Sequence, residues 1–431
     1  MKEPLAPLSP RRFVVIIAVM HSPASAVVLR GGRVVDPLRQ LDTIADVVVV
    51  DGRVTAIGRH VGDRVTDAHP RADIVDCTGL LVTPGFIDLH VHVMEGLGDF
   101  CVGADDVGVE MGVPVVVDGG TSGVSTFDLA RTAVIDHPHT RTKVLAFMDP
   151  NQLYLATRDF ICHRLHLAND PANLDPEALA ASMARNADVV VGLKARACHV
   201  GDPDHSPFLA AAQHAAGSKP VMVHLGRFPH TPVITPKALL RDLRGGDIIT
   251  HAFRGAGGML DETGKAIPEF RDAVDRGVVL DIGHSGTDFR FREARRLFDQ
   301  GYLPDTISTD LNIFNIGGPV FSFAENMTKM LALGLDVVDV IAMATSNAAR
   351  AIGKLDELGS LDVGRSAEIS VTRLRSDGPF PVSDGHETAV AEQAFEPIGC
   401  VRGGVWYEAR TLPTFATVGK TWGPAADDSD W

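Results

Sequence analysis

Residues 84–92 read Pro84-Gly-Phe-Ile-Asp-Leu-His-Val-His92. Phe86, Ile87 and Leu89 give the run strand character, and it ends on two imidazoles two positions apart. Residues i and i+2 of a strand project to the same side, so His90 and His92 can address one metal ion. Taken alone the pair is a modest signal, because a histidine at a strand end is more often a hydrogen-bonded core residue. Its weight comes from what the rest of the chain repeats.

Seven further apolar runs follow the first candidate strand, Gly85–His90: Val113–Gly119, Lys143–Asp149, Val189–Ala195, Pro220–Leu225, Asp247–Ala252, Gly277–Gly283 and Thr306–Leu311. Amphipathic stretches such as Pro176–Arg185, Glu269–Arg276 and Arg292–Gly301 lie between several of them. Repeated βα units of this kind predict an α/β fold, a (β/α)8 TIM-like barrel. A doubly wound open sheet is the alternative, but no GxGxxG follows the first strand. Several runs also end on chemistry: Val191-Gly-Leu-Lys194, Val221-Met-Val-His224, Ile248-Ile-Thr-His251 and Ile307-Ser-Thr-Asp310. Barrel enzymes place catalytic groups at the C-terminal ends of their strands. A lone Lys194 would be a snorkelling side chain and a lone Asp310 a turn residue; together with the histidines they read as one site.

The flanks are written differently. Ala26–Asp36 and Ala45–Gly58 are strand-like, with Asp51-Gly52 as a hairpin signal. Similar writing returns in Gly359–Gly364, Ala367–Thr372 and Gly404–Ala409. The expected organisation is therefore an extension over 1–26, a composite β-sandwich from 27–83 plus 355–415, a barrel over 84–354, and a loose tail over 416–431. Ser376–Gly385 reads as a surface loop. In the extension, Arg11-Arg12, the apolar run Phe13–Met20 and Ala24-Ser-Ala26 have the ingredients of an export leader. The short apolar run favours a cytoplasmic protein instead.

Composition agrees with a large enzyme core: 431 residues, 45% apolar and 22% charged. The net charge of −15 argues against nucleic acid as a partner. Five scattered cysteines (Cys77, Cys101, Cys162, Cys198, Cys400) form no CxxC pair, so neither a zinc ribbon nor a disulfide framework is indicated. No run approaches a membrane span. Among seventeen histidines, those at the strand ends carry the chemical signal.

The 84–92 stretch resembles the signature of the amidohydrolase superfamily of metal-dependent hydrolases, and the resemblance runs from Val27 to about Ala409. The branch it is most similar to is that of the amidohydrolase/deacetylase metallohydrolases, often called dihydroorotase-like. Val191–Arg196, Val223-His-Leu-Gly226, Asp281-Ile-Gly-His284, Pro304–Asp310, Gly318–Ser322 and Gly359–Glu368 carry the similarity. It implies two divalent ions, usually zinc. His90, His92 and Asp310 would bind the more buried ion, His224 and His251 the more exposed one, with an N6-carboxylated Lys194 bridging both. Four imidazoles, a carbamate and a carboxylate suit zinc, with manganese, cobalt or iron also compatible. The implied chemistry is attack by a metal-bridging hydroxide, with Asp310 as ligand and proton shuttle.

Weaker candidates surround this centre. Arg196 could bind a substrate carboxylate bidentately, or be a surface ion pair. His284 could hydrogen-bond substrate or oxyanion. Arg254 puts a cation where the resembling family would carry a smaller or neutral group, and it could bind substrate by holding a carboxylate or imide. Gly119–Gly123 reads as a flexible βα loop near the site. Cys198-His199 and Cys162, His163 and His166 read as loop residues. The expected activity is cleavage of an amide or ester in a small acylated molecule, of deacetylase or esterase type. A cyclic amide hydrolase (dihydroorotase-, hydantoinase- or lactamase-like) is the alternative, and a non-catalytic scaffold or a phosphotriesterase would fit less well. The expected partner is a small-molecule substrate, with neither nucleic acid nor membrane; homo-oligomers are common in the resembling family.

Overall fold

Seven apolar runs become parallel strands: Ile87–Val91, Val115–Gly123, Lys143–Asp149, Val190–Arg196, Val221–His224, Ile248–Thr250 and Val279–Leu280. They pair in chain order from the first to the seventh. A doubly wound sheet reverses its order at a switch point; these strands do not, so that alternative falls. The structure, a computed structural model, describes residues 26–156, 167, 170–225, 232–255 and 258–419. The N-terminal extension up to residue 25, Cys162, His163, His166, Gly226 and the tail beyond Gly419 lie outside the described residues.

These strands are apolar on both faces because both faces are covered. Val115, Val117, Leu145, Phe147, Met222 and Ile248 join one buried cluster with Ala348, Ala349 and Ile352. Their alternates Val116, Val144, Ala146, Val223 and Ile249 join another with Leu179, Leu209, Leu239 and Phe270 from the helices. The helices Pro176–Arg185, Pro207–Ala216 and Pro236–Asp242 start where the sequence tells them to. Each has proline in its first turn, where no N–H is needed, and each is capped by the side chain before it (Asp175, Ser206, Thr235).

The expected eighth strand, Thr306–Leu311, is not a continuous ladder. It makes single parallel bridges, Asp281 with Thr306 and Val91 with Leu311. On one side Ile282 and His284 donate to the Thr306 and Ser308 carbonyls; on the other, Asp310 donates to the His90 carbonyl. The segment thus lies between the seventh strand and the first. Two local events interrupt its pairing: Thr309 N–H turns to the Asp88 carboxylate at 3.1 Å, and Asp310 adopts φ 54°, outside the extended region.

A second, eight-stranded sheet draws on both flanks of the chain. Its path runs Val405–Glu408, Ala394–Arg402, Ile369–Arg375, Leu81–Pro84, Ala26–Asp36, Leu41–Val50, Arg53–Gly58, with Asp73–Asp76 also beside Ala26–Asp36. The Asp51-Gly52 hairpin forms as expected, with φ 50° and 72° at its two turn residues. Gly359–Gly364, expected as strand-like, is irregular. Its polar backbone is used one group at a time: Leu361 N–H goes to Asp36, Gly364 N–H to the Val54 carbonyl. Conversely, the expected loop Ser376–Gly385 contains a strand, Phe380–Ser383, paired antiparallel with Thr388–Ala391. The first residues of the expected loose tail belong to a short helix, Phe415–Val418, closed by a Thr414–Thr417 capping box.

Asp36 joins the two flanks. It is buried and accepts from Ser360 Oγ at 2.9 Å, Leu361 N at 2.8 Å and Arg39 N at 3.2 Å. Removing it strands three donors, so Asp36→Ala should destabilise the protein by about 1–3 kcal/mol. Urea unfolding would show this as a lower midpoint at unchanged m-value; an unchanged midpoint would refute the linking role.

Candidate metal centre

The inner face of the strands ends in polar groups. On the fifth strand the face that buries Met222 presents His224, and on the sixth the face that buries Ile248 presents Thr250. His251 follows directly. The first strand delivers His90 and, one residue past its end, His92; the fourth delivers Lys194 and Arg196. His90, His92, Lys194, His251 and Asp310 are buried, and His224 is partly exposed.

These six groups converge. Asp310 Oδ1 lies 3.0 Å from His92 Nε2 and 3.4 Å from His90 Nε2. Asp310 Oδ2 lies 3.9 Å from His251 Nε2. Lys194 Nζ is 2.8 Å from His90 Nε2, and the His224 and His251 ring centroids are 4.6 Å apart. His90, His92 and Asp310 offer one donor atom each within 4.8 Å of one another, the geometry of a cation site. Both His251 Nε2 and Asp310 Oδ1 are buried without a hydrogen-bond partner. Buried polar atoms are seldom left so, and nitrogen and carboxylate lone pairs facing one space are what a divalent cation stabilises. The residues present therefore fit the metal that the fold implies.

Electrostatics favours the same reading. Burial, reinforced by Lys194 and the neighbouring rings, holds His90 well below the ordinary histidine value. Burial, with Arg196 next, does the same at His224. His251 is lowered chiefly by burial, against the pull of Asp288 and Asp310. Burial also brings the Lys194 amine down to about 8, outweighing the attraction of Asp310. Neutral imidazoles are the ligand form, and a neutral amine is the form that can accept CO2.

The backbone bends to deliver these groups. His251 and Asp310 hold φ 66° and 54°, conformations seldom adopted by residues other than glycine. Gly119-Gly120, expected in a flexible loop, lies inside the long second strand Val115–Gly123. Pairing with Lys143–Asp149 makes it a strand, and close approach accounts for its glycines: a Cβ on Gly119 would lie 2.1 Å from His90 Cδ2, and one on Gly120 would lie 2.4 Å from Lys194 Cβ. The two glycines make room for two candidate ligands.

The peripheral candidates separate. Arg196 is buried, not a surface ion pair, and its Nε donates to the Tyr154 hydroxyl at 3.2 Å. Arg254 pairs with Asp288 at 3.0 Å and donates to the Leu225 carbonyl. His284 has both ring nitrogens beside protein groups, Nδ1 accepting from Gly286 N–H and Nε2 lying 3.0 Å from Lys329 Nζ. Cys198 is buried, which pushes its thiol up to about 11 and makes it a poor ligand. Sequence reasoning did not find the groups behind the ligands: Thr121, Asp118, Thr250 and Asp281. Asp281 stood in the quoted Asp281-Ile-Gly-His284 stretch and Thr250 directly before His251, but nothing in sequence spacing links them.

Neutral buried histidines have a thermodynamic consequence in metal-free protein. Below about pH 6.5 the unfolded chain takes up protons that the folded site refuses, so acid pH removes stability. His251→Asn removes one such group and suits the positive φ. Metal-free wild type should lose stability faster than His251→Asn between pH 7 and 5. The difference in slope can be at most about 1.4 kcal/mol per pH unit, the value for one proton. Parallel pH profiles in urea unfolding would contradict the buried neutral imidazole.

Comparison with known proteins agrees with this geometry. The sequence profile of the amidohydrolase family matches residues 290–406. A deacetylase of Agrobacterium fabrum is 31% identical over 358 residues, covering 80% of this chain and 82% of its own. A deacetylase of Brucella anthropi is 31% identical over 83% of this chain and 86% of its own. Among solved structures, a dihydroorotase superposes with TM-score 0.77 at 28% identity, covering 90% of this chain and 100% of its own. An adenine deaminase does so with TM-score 0.77 at 25% identity, covering 89% and 99%. Relatives of this kind place a TIM-like barrel and carbon–nitrogen bond hydrolysis together, and with them the chain belongs to the amidohydrolase family.

Proposed function

We propose that this protein is a binuclear metal-dependent hydrolase that cleaves an amide or ester bond of a small acylated molecule, as a deacetylase or esterase. The observation that carries the reading is the convergence of four imidazoles, an amine and a carboxylate on one buried space. Similarity to deacetylases over four fifths of the chain supports the acyl substrate. A match to a dihydroorotase of Solibacter usitatus spans only 69 residues.

His90, His92 and Asp310 would hold one ion and His224 and His251 the other, with carboxylated Lys194 between them. When bound, such ions polarise a carbonyl and bring the pKa of a coordinated water from 15.7 towards about 7. The chain supplies the rest. Burial brings the Lys194 amine down to about 8, which enlarges the neutral fraction that carbamate formation requires. The Asp310 carboxylate takes the proton of the attacking water and returns it to the departing nitrogen or oxygen. Arg196, on the same strand as Lys194, is placed to hold a carboxylate of the substrate. Arg254 is committed to Asp288 and His284 to Lys329 and Gly286, so neither is assigned a substrate contact.

The same proposal makes Thr306–Leu311 the eighth strand that closes a barrel over 84–354, with a β-sandwich from 27–83 and 355–415. A cytoplasmic location is supported by Cys77, Cys101, Cys198 and Cys400, all buried and free. A cyclic amide hydrolase is the second reading, favoured by the dihydroorotase structural match.

Metal analysis after zinc and bicarbonate supplementation should find two ions per chain; substantially less than one would sink the proposal. Asp310→Asn should retain much of that metal but lose about 10²–10⁴-fold in kcat; full activity would remove Asp310 from the proton path. A panel of N-acetyl amino acids, O-acetyl hydroxy acids, hydantoins and dihydroorotate separates the two readings. Turnover confined to cyclic amides would replace the first with the second.

A further inference from the structure

Behind the candidate ligands lies a buried hydrogen-bond system whose direction can be worked out from proton counts. Thr250 Oγ1 donates to Asp281 Oδ2 at 2.8 Å and lies 2.9 Å from His90 Nδ1. Asp281 also accepts from Thr306 Oγ1 at 2.8 Å and from Ser308 Oγ at 2.6 Å. A hydroxyl has one hydrogen to give. With that of Thr250 on the carboxylate, its oxygen can only accept from His90, so the ring proton sits on Nδ1. Nε2 then carries the lone pair and faces Asp310 and Lys194. The 2.8 Å contact of Lys194 Nζ with His90 Nε2 agrees, since an amine donates to a bare nitrogen.

The same carboxylate reaches a second ligand by another route. Ser308 Oγ, having given its hydrogen to Asp281, receives the Gly283 N–H at 3.2 Å. The Gly283 carbonyl lies against His251 Nδ1. A carbonyl only accepts, so His251 also carries its proton on Nδ1 and turns Nε2 towards Asp310. No side chain fits at this junction: a Cβ on Gly283 would lie 2.1 Å from Thr250 Oγ1 and 2.8 Å from His251 Nδ1. His92 has a matching arrangement through Thr121, 2.7 Å away, whose hydroxyl donates to Asp118 at 2.8 Å.

We infer that Asp281 is a positioning residue that, through Thr250, fixes His90 in the Nδ1–H tautomer and, through Ser308, holds the Gly283 backbone whose carbonyl sets the same tautomer at His251, so that both Nε2 atoms are presented for metal binding. The consequence for metal affinity rests on the proposed metal-dependent function; the tautomer assignment does not. Groups behind metal-binding histidines typically contribute 10–100-fold in affinity.

Two measurements test it. In metal-free wild-type protein, ¹⁵N NMR should show His90 and His251 protonated at Nδ1; protonation at Nε2 would overturn the inference without any variant. Zinc affinity, read by chelator competition, should fall about 10–100-fold in Thr250→Val and recover to within about threefold of wild type in Thr250→Ser. Thr306→Val is the control. It takes a hydroxyl from the same carboxylate but touches no ligand, so it should cost stability while keeping zinc affinity within about threefold. Equal affinity losses in Thr250→Val and Thr306→Val would reduce Asp281 to a structural acid. Should Thr250→Val fail to fold, the wild-type tautomers decide. Wild-type protein that binds no zinc yet shows both Nδ1–H tautomers would refute the metal reading and leave the orientation intact.

Discussion

The arrangement on which the rest depends is a set of nitrogen and oxygen lone pairs held facing one another away from water. The Nε2 atoms of His90 and His92 lie within 3.4 Å of Asp310 Oδ1. Burying polar atoms without partners costs several kcal/mol, and like partial charges at this range add repulsion. Such a constellation has to be held by the scaffold, and a cation placed among these atoms would relieve it. The unusual features around the site can be read as what that holding requires. His251 and Asp310 sit at positive φ, Gly119 and Gly120 leave no room for a Cβ beside His90 and Lys194, and the Asp281 and Asp118 carboxylates are buried behind the rings.

The buried acids illustrate how that support is built. Burial pushes Asp281 up to about 6 even though three hydroxyls favour its charged form. Burial likewise raises Asp118 and brings Asp88 up to about 8. Hydroxyls are suited to this task because each can accept on one side and donate on the other, passing direction from an acid to a ring. An amide or a second imidazole in their place would leave the tautomer open. Strand ends supply the candidate ligands, and the positions beside them supply the direction.

Much of this was legible in the sequence, and the reason is periodicity. The two-residue repeat of a strand placed His90 with His92 and Lys194 with Arg196, and apolar runs ending on His224, His251 and Asp310 marked the remaining ends. What periodicity could not reach was anything decided by contacts across the fold. Gly119-Gly120 looks like a loop in a single chain, yet it lies in a strand that pairs with Lys143–Asp149, where only glycine leaves space for His90 and Lys194. Thr306–Leu311 has a strand's composition, yet Asp88 and the turn at Asp310 divert its backbone. Phe380–Ser383 sits among turn-forming residues and becomes a strand through pairing with Thr388–Ala391. Asp281 and Thr250 are 31 residues apart, and no local pattern joins them.

Substrate choice turns on groups outside the donor set, since acyl and cyclic amide hydrolysis would use the same donors. At long range the net charge of −15 repels anions, so recognition of a carboxylate would have to come from a buried cation at short range. The two arginines near the site differ in this respect. Arg254 is tied to Asp288 at 3.0 Å, and the two form an ion pair. Arg196 instead donates to Tyr154, a phenol that burial raises to about 12 and therefore keeps neutral. Asp149, the nearby acid, is pushed up to about 7 by the same burial. Arg196 shares a strand with Lys194, so in the proposed reading its guanidinium is the one at hand for a substrate carboxylate. Under the proposed function, the acid group of an acylated substrate would lie beside the fourth strand and its scissile bond beside Lys194 and Asp310.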